Sequence, residues 1–186
     1  SYMKKILKRS QNITLISIKT KNLKKEHILS ICKLKNSYWS WTIRKQLEWF
    51  KKKVRNTDIN NMLIKNKILI GYTLLRKRKS NINNKPLIYY YFDSFIIHNK
   101  FRNKGFGKIL MSYNNKTLNK LKKHSFLTCK KKTIPFYLKY KWKILPKNKF
   151  KLVDHKPAWF RSMADVQGMT YNLDRKVKKK IFYYLN

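Results

Sequence analysis

Phe95-Ile96-Ile97-His98-Asn99-Lys100-Phe101-Arg102-Asn103-Lys104-Gly105-Phe106-Gly107-Lys108 decides how the rest of the chain is read. An apolar strand end passes through a polar connection into a glycine-containing turn, and the turn opens an amphipathic helix. Phe106, Ile109, Leu110, Tyr113, Thr117 and Leu121 recur at helical spacing and mark its buried face, with an end expected near Lys123. The first N–H groups of a helix have no partner inside it and lie at the positive end of its dipole, so together they form an anion site suited to phosphate. Glycine at 105 and 107 lets the backbone come close to a ligand, and Arg102, Lys104 and Lys108 add charge. A dinucleotide fingerprint would need a third glycine where Leu110 stands, and a P-loop would need glycine at Arg102 and a hydroxyl at Ile109. Both are excluded. A surface turn with two glycines is the plain alternative.

Working outward, Ile13–Ile18 alternates and is β-branched, which predicts a first strand. Lys24 to Leu34 reads as a helix. A second helix, about Thr42 to Val54, repeats Ile43, Leu47, Phe50 and Val54 at helical spacing behind an N-cap threonine. Asn60–Lys65 and Lys67–Arg76 form a hairpin about Asn66. The basic, Asn-rich stretch Arg76–Lys85 reads as a loop, followed by a strand from Leu87 to Ile97 and the glycine turn. Ser125–Lys130 is a strand, Thr133–Tyr140 a short helix with Pro135 in its first turn, and Lys147–Val153 and Met169–Leu173 are closing strands. Ile181–Tyr184 is expected to dock as a final helix turn. The order β-α-α-β-β-β-α-β-α-β-β is α/β, an antiparallel meander leading into a βαβ crossover.

The pattern Arg/Gln-x-x-Gly-x-Gly/Ala, here Arg102-Asn103-Lys104-Gly105-Phe106-Gly107, resembles the acyl-CoA-binding motif of the GCN5-related N-acetyltransferases (GNATs). The element order is also that of this superfamily, and the resemblance covers about Ile13 to Leu173. It implies a GNAT-like mixed, mostly antiparallel sheet with a splayed central parallel pair, flanked by helices. One domain is expected over residues 1–186, with 1–12 as an N-terminal extension and 175–186 as a basic C-terminal tail. The resemblance places the pantetheine arm of acetyl-CoA, the co-substrate, along Phe95, Ile96 and Ile97. It places the pyrophosphate on Arg102, Asn103, Lys104, Gly105, Phe106, Gly107 and Lys108, and it implies no metal.

Thr133-Ile134-Pro135-Phe136-Tyr137-Leu138-Lys139-Tyr140-Lys141-Trp142 resembles the second family signature, Ala-x-x-Phe/Leu-Tyr followed by Gly-Phe. Tyr137 falls on the tyrosine that commonly protonates the departing thiolate, a task suited to a phenol near sulfur. A core aromatic is the alternative for any one of twelve tyrosines. Three departures stand out: Lys130 for an asparagine, Lys141 for glycine and Trp142 for Phe. They bring the local backbone path into question.

An amine nucleophile must lose its proton before attack. Asp93 is the carboxylate of the central strand, at a spacing where some family members carry a glutamate, and it is the candidate base or water-orienting residue. By strand alternation it shares a face with Ile97. A structural Asp paired with a lysine is the alternative, and His98 is a second candidate. Tyr38, Trp39, Trp41, Gln46, Trp49 and Phe50, with the loop Asp154–Arg161, are candidate walls of an acceptor pocket.

Composition sets the bounds. The chain has 186 residues, 42% apolar and 15% aromatic, enough for a core. Lys and Arg number 47 against seven acids, a net charge of +40. Abundant Asn, Ile and Lys fit an A+T-rich coding sequence, yet the scarcity of acids still favours anionic partners. Nucleic acid is therefore weighed as a partner, but no known nucleic-acid module is visible. A catalytically silent, basic nucleic-acid- or ribosome-associated module is the alternative function. The resemblance implies N-acetylation of a primary amine, and the charge disfavours polyamines and favours a neutral or anionic acceptor. A nucleotide-linked amino sugar and a protein N-terminus are candidates. No apolar run of membrane-spanning length occurs. Ser1–Ile6 has no signal-peptide character, and Met3 is a candidate start. Cys32 and Cys129 lack metal or disulfide spacing. A cytoplasmic monomer or homodimer is expected.

Overall fold

The computed structural model describes residues 3–7, 12–153, 166–174 and 176–186, with side chains from residue 12 onward. The chain divides into two compact units, Ser1–Arg76 with Asp93–Thr117, and Lys77–Phe92 with Leu118–Asn186.

In the first unit, β1 (Met3–Leu7), β2 (Ile13–Lys19), β3 (Ile59–Lys65) and the start of β4 (Ile68–Ile82) pair in that order, all antiparallel. β1 was not legible, because two lysines interrupt its apolar pattern. Asn66 and Lys67 both take positive φ, 49° and 65°, the two-residue turn that matches strand twist and closes the expected hairpin. Helices α1 (Lys25–Asn36) and α2 (Ile43–Lys53) cover one face, where Ile31, Cys32 and Phe50 pack on Ile16, Tyr72 and Leu74. Thr42 caps α2 as expected, its Oγ1 accepting the Lys45 amide at 3.2 Å. Helix α3 (Phe106–Leu121) covers the other face through Phe106, Leu110 and Tyr113 against Leu15, Leu63 and Ile70. Buried Asn114 fixes the rotation of α3: Asn61 Nδ2 and Thr73 Oγ1 donate to its Oδ1 at 3.0 and 2.9 Å. A polar core contact of this kind favours one register, since turning α3 would cost the Asn61 and Thr73 donors their shared acceptor, although Asn114 Nδ2 itself finds no partner among the described residues.

In the second unit, β4 continues to Ile82 and turns through Asn83 and Asn84, φ 52° and 65°, into β5 (Lys85–Ile97). The expected loop Arg76–Lys85 is therefore a hairpin. Its polar residues misled the reading because Arg78 and Ser80 are buried, and Arg78 Nε donates to the Leu185 carbonyl at 3.1 Å. The expected helix turn at Ile181–Tyr184 is also corrected. Ile181–Tyr183 is strand β10, antiparallel to β4 and parallel to β8 (Phe150–Leu152). β6 (Ser125–Lys130) runs parallel to β5 and antiparallel to β9 (Val166–Tyr171), and β7 (Lys143–Leu145) closes the order β5-β6-β9-β7. Helix α4 (Ile134–Leu138) follows β6. The sheet is thus mixed and mostly antiparallel, as expected. The β5–β6 register pairs Tyr90 with Ser125 and Tyr91 with Phe126. Beyond these residues β6 stays paired to β9 as far as Lys130, while β5 from Asp93 onward belongs to the first unit.

Candidate functional site

The turn leaves β5 at His98, whose amide donates to the Ile70 carbonyl at 2.8 Å and whose Nδ1 accepts the Lys100 amide. Asn103 takes φ 58° and Gly105 φ 81°, and α3 begins at Phe106. The Ile109 amide is the first to be satisfied from this end, donating to the Gly105 carbonyl at 3.2 Å. The amides of Asn103, Lys104, Gly105, Phe106, Gly107 and Lys108 donate to nothing among the described residues. Asn103, Lys104 and Gly105 are exposed, and a Cβ at Gly105 would meet nothing within 4 Å. Space does not require glycine there. The left-handed backbone favours it, and so does close approach of a ligand. Arg102 folds back, its Nε donating to the Ile97 carbonyl at 3.1 Å and its guanidinium lying 5.3 Å from the Tyr38 ring centroid. The lysines of the turn are left at its rim. A run of outward amides at a helix start, ringed by cations, fits a diphosphate.

Asp93 does not share a face with Ile97. Its Oδ2 accepts Arg76 Nη1 at 2.9 Å, and Arg76 Nη2 donates to the Lys53 carbonyl at the end of α2. Ile97 instead packs against Phe106 and Leu110 of α3. Ile96 belongs to the α1–α2 side, as Asp93 does, though the two lie three residues apart. Regular alternation would put them on opposite faces, so the side-chain alternation between Asp93 and Ile96 is not regular. The alternation argument failed for this reason. Asp93 Oδ1 also accepts Ser94 Oγ at 3.3 Å, so both carboxylate oxygens are engaged. Arg76 was missed as its partner, because a basic residue near the expected end of a strand reads as solvent-facing.

Of the candidate pocket walls, Tyr38, Trp39 and Trp41 are exposed at 52%, 38% and 50%, a patch on the α1–α2 connection. Phe50 is core instead, and Gln46 is buried, its Nε2 donating to the Trp39 carbonyl at 3.3 Å. Lys35, unremarked in the sequence, is buried on α1 with its Nζ 3.4 Å from the Trp49 ring centroid. Burial lowers its pKa to about 8, against the smaller opposing effect of Asp93. The loop Asp154–Arg161 lies outside the described residues.

In the second unit, the half-buried Tyr137 ring lies edge-on to Phe92 at 6.4 Å and to Trp142 at 6.1 Å between centroids. At the departures from the second signature the chain makes a hydrogen-bonded turn. Lys141 takes φ 66°, the conformation for which a glycine is usually chosen, and the Trp142 amide returns to the Tyr137 carbonyl at 3.3 Å. Trp142 is 1% exposed and fills the aromatic position. Lys130 precedes a 3-10 turn in which Thr133 Oγ1 donates to the Lys130 carbonyl. Cys32 and Cys129 are buried free thiols. Among the described residues no cluster of three or more His, Cys, Asp or Glu is placed to hold a metal, and no helix is long and apolar enough to cross a membrane.

No protein-family model matches the sequence, and no curated protein matches it. Solved structures do match. Escherichia coli ElaA superposes with a TM-score of 0.61 at 14% identity, over 85% of this chain and 98% of that one. An acyl-CoA N-acyltransferase from Pseudomonas aeruginosa gives 0.61 at 10%, over 85% and 98%. An aminoglycoside 6'-N-acetyltransferase complexed with coenzyme A gives 0.60 at 11%, over 86% and 98%. The chain has the GNAT fold.

Proposed function

We propose that this chain, on the GNAT fold, is an acetyl-CoA-dependent N-acetyltransferase that delivers acetyl to a primary amine of a neutral or anionic acceptor. The observation that carries the reading is the unbroken run of unpartnered amides from Asn103 to Lys108 at the start of α3, one short turn after the end of β5. Coenzyme A brings a diphosphate and an extended, amide-bearing arm. The amides and the cations Lys104 and Lys108 hold the first, while the backbone of Phe95, Ile96 and Ile97 pairs with the second. The coenzyme A bound in the aminoglycoside-acetylating neighbour supports this assignment. The thioester supplies the activated acetyl group.

The chain's own residues then do three things. The turn and strand end fix the thioester for attack by the amine. Asp93, held by Arg76 and Ser94, orients the water or ammonium through which the amine loses its proton. Tyr137 donates its phenolic proton to the thiolate as the C–S bond breaks, a role that rests on the resemblance of its segment to the family signature. Within the first unit the exposed rings of Tyr38, Trp39 and Trp41 offer an apolar wall for the acceptor. The acids there are largely engaged: Glu48 with Arg44, Asp93 with Arg76, and buried Asp58 with the Arg55 amide. A polycationic acceptor finds little to bind, and an anionic one is attracted by the surrounding charge, which keeps nucleotide-linked amino sugars and acidic protein N-termini as the favoured classes.

The test is a panel of amines read by release of free CoA thiol from acetyl-CoA. Turnover with a neutral or anionic amine supports the reading. Salt-dependent RNA binding with no calorimetric response to CoA contradicts it.

A further inference from the structure

Lys35 is 4% exposed, yet among the described residues its ammonium has neither a hydrogen bond nor an ion pair. Its Nζ lies 3.4 Å from the ring centroid of Trp49 and 5.7 Å from that of Trp39. The charged groups facing it are Asp93 on β5 and Arg76 on β4, with the Cys32 thiol on its own helix. Asp93 is committed to Arg76, so it neutralises Lys35 only in part. Burial without a hydrogen bond or ion pair disfavours the ammonium, while the Trp49 and Trp39 rings offset part of that cost. The lowered value near 8 accords with that argument. A neutral amine is a nucleophile. Lys35 is on α1, whose Ile31, Cys32 and Leu34 share a core cluster with Ile96, and Ile96 lies in the segment assigned to the thioester arm. One of the two rings beside it, Trp39, is itself 38% exposed.

We infer that Lys35 is an internal acceptor, acetylated by the chain itself when acetyl-CoA is bound and no external amine is present. The inference rests on the acetyl-CoA reading above. Neutral Lys35 Nζ attacks the thioester carbonyl, a C–N bond forms and the C–S bond breaks. The proton lost from nitrogen passes to sulfur, leaving Nε-acetyl-Lys35 and CoA thiol. The product amide carries no charge, which suits its buried setting better than the ammonium it replaces.

The experiment incubates the full chain with acetyl-CoA alone between pH 6.5 and 9.5 and maps acetylation by peptide mass, with CoA binding measured separately by calorimetry. Lys33, exposed on the same helix, is the internal comparator. At pH 7.5 a lysine with a pKa near 8 has roughly 200-fold more neutral amine than an ordinary one, so Lys35 should be modified at least about tenfold faster than Lys33. Its rate should rise with pH and level off above about 8, where its amine is neutral. Gly105→Asp should reduce Lys35 to the slow rate of Lys33. Binding of CoA with Lys35 modified no faster than Lys33, or equally fast in Gly105→Asp, overturns the inference alone. Absence of CoA binding overturns it together with the reading it rests on.

Discussion

Two left-handed turns in this molecule met the same backbone demand in different ways. At Gly105, φ is 81° and the chain keeps the residue without a Cβ, although a Cβ there would touch nothing within 4 Å. At Lys141, φ is 66° and the chain uses a lysine where the family signature has glycine. The first turn carries unpartnered amides, and Asn103, Lys104 and Gly105 within it are exposed. The second only redirects the backbone from α4 toward Trp142, and a hydrogen bond back to Tyr137 holds it. Where the backbone is proposed to meet a ligand, glycine stays. Where only the path matters, about 1 kcal/mol of strain is tolerated.

The comparison breaks most visibly at the first turn. Gly105→Asp adds a carboxylate where the diphosphate is assigned, and calorimetry should show CoA affinity falling at least about 100-fold. Unchanged affinity would reduce that turn to the same path-setting role as the second. Tyr137→Phe asks whether chemistry survives beside a departed signature. Turnover with an amine found in the panel should fall roughly 100-fold with CoA affinity unchanged. Unaltered turnover would make Tyr137 a packing residue.

Lys35→Met extends the question from conformational to electrostatic strain. The Lys35 ammonium titrates near 8 when folded and near 10.5 when unfolded, so the unfolded chain binds more protons between those values. Wild-type stability relative to the variant should therefore be lowest below pH 8 and recover as the pH rises toward 10.5. At pH 7 the variant should be more stable by about 1–3 kcal/mol in urea unfolding, and a pH-independent difference would contradict the assigned burial. The smallest effect belongs to Lys141→Gly, which should raise stability by about 0.5 kcal/mol with no change in CoA affinity. A loss of stability would mean that the lysine side chain holds the turn.

Sequence conveyed the parts whose causes are local. The Thr42 cap, the Asn66 hairpin and the glycine turn each follow from residue types acting on their own backbone. What it concealed depends on partners distant in the chain. Arg78 and Ser80 are buried strand residues because β10 returns to cover them, and nothing between Arg76 and Lys85 announces that. Asp93 is turned toward Arg76 and away from the face of Ile97, and no glycine marks the break in alternation. Lys35 was hidden among 47 basic residues. The signal that could have found it is Trp49, fourteen positions on, with Trp39 between.

The central claim is that the amides from Asn103 to Lys108 receive the diphosphate of acetyl-CoA. Backbone amide resonances of the 15N-labelled chain, followed by NMR through a CoA titration, test it most directly. The account predicts that the signals of these six residues show the largest shifts, saturating together with binding. Saturation with these amides unmoved, and the largest shifts elsewhere, would contradict it.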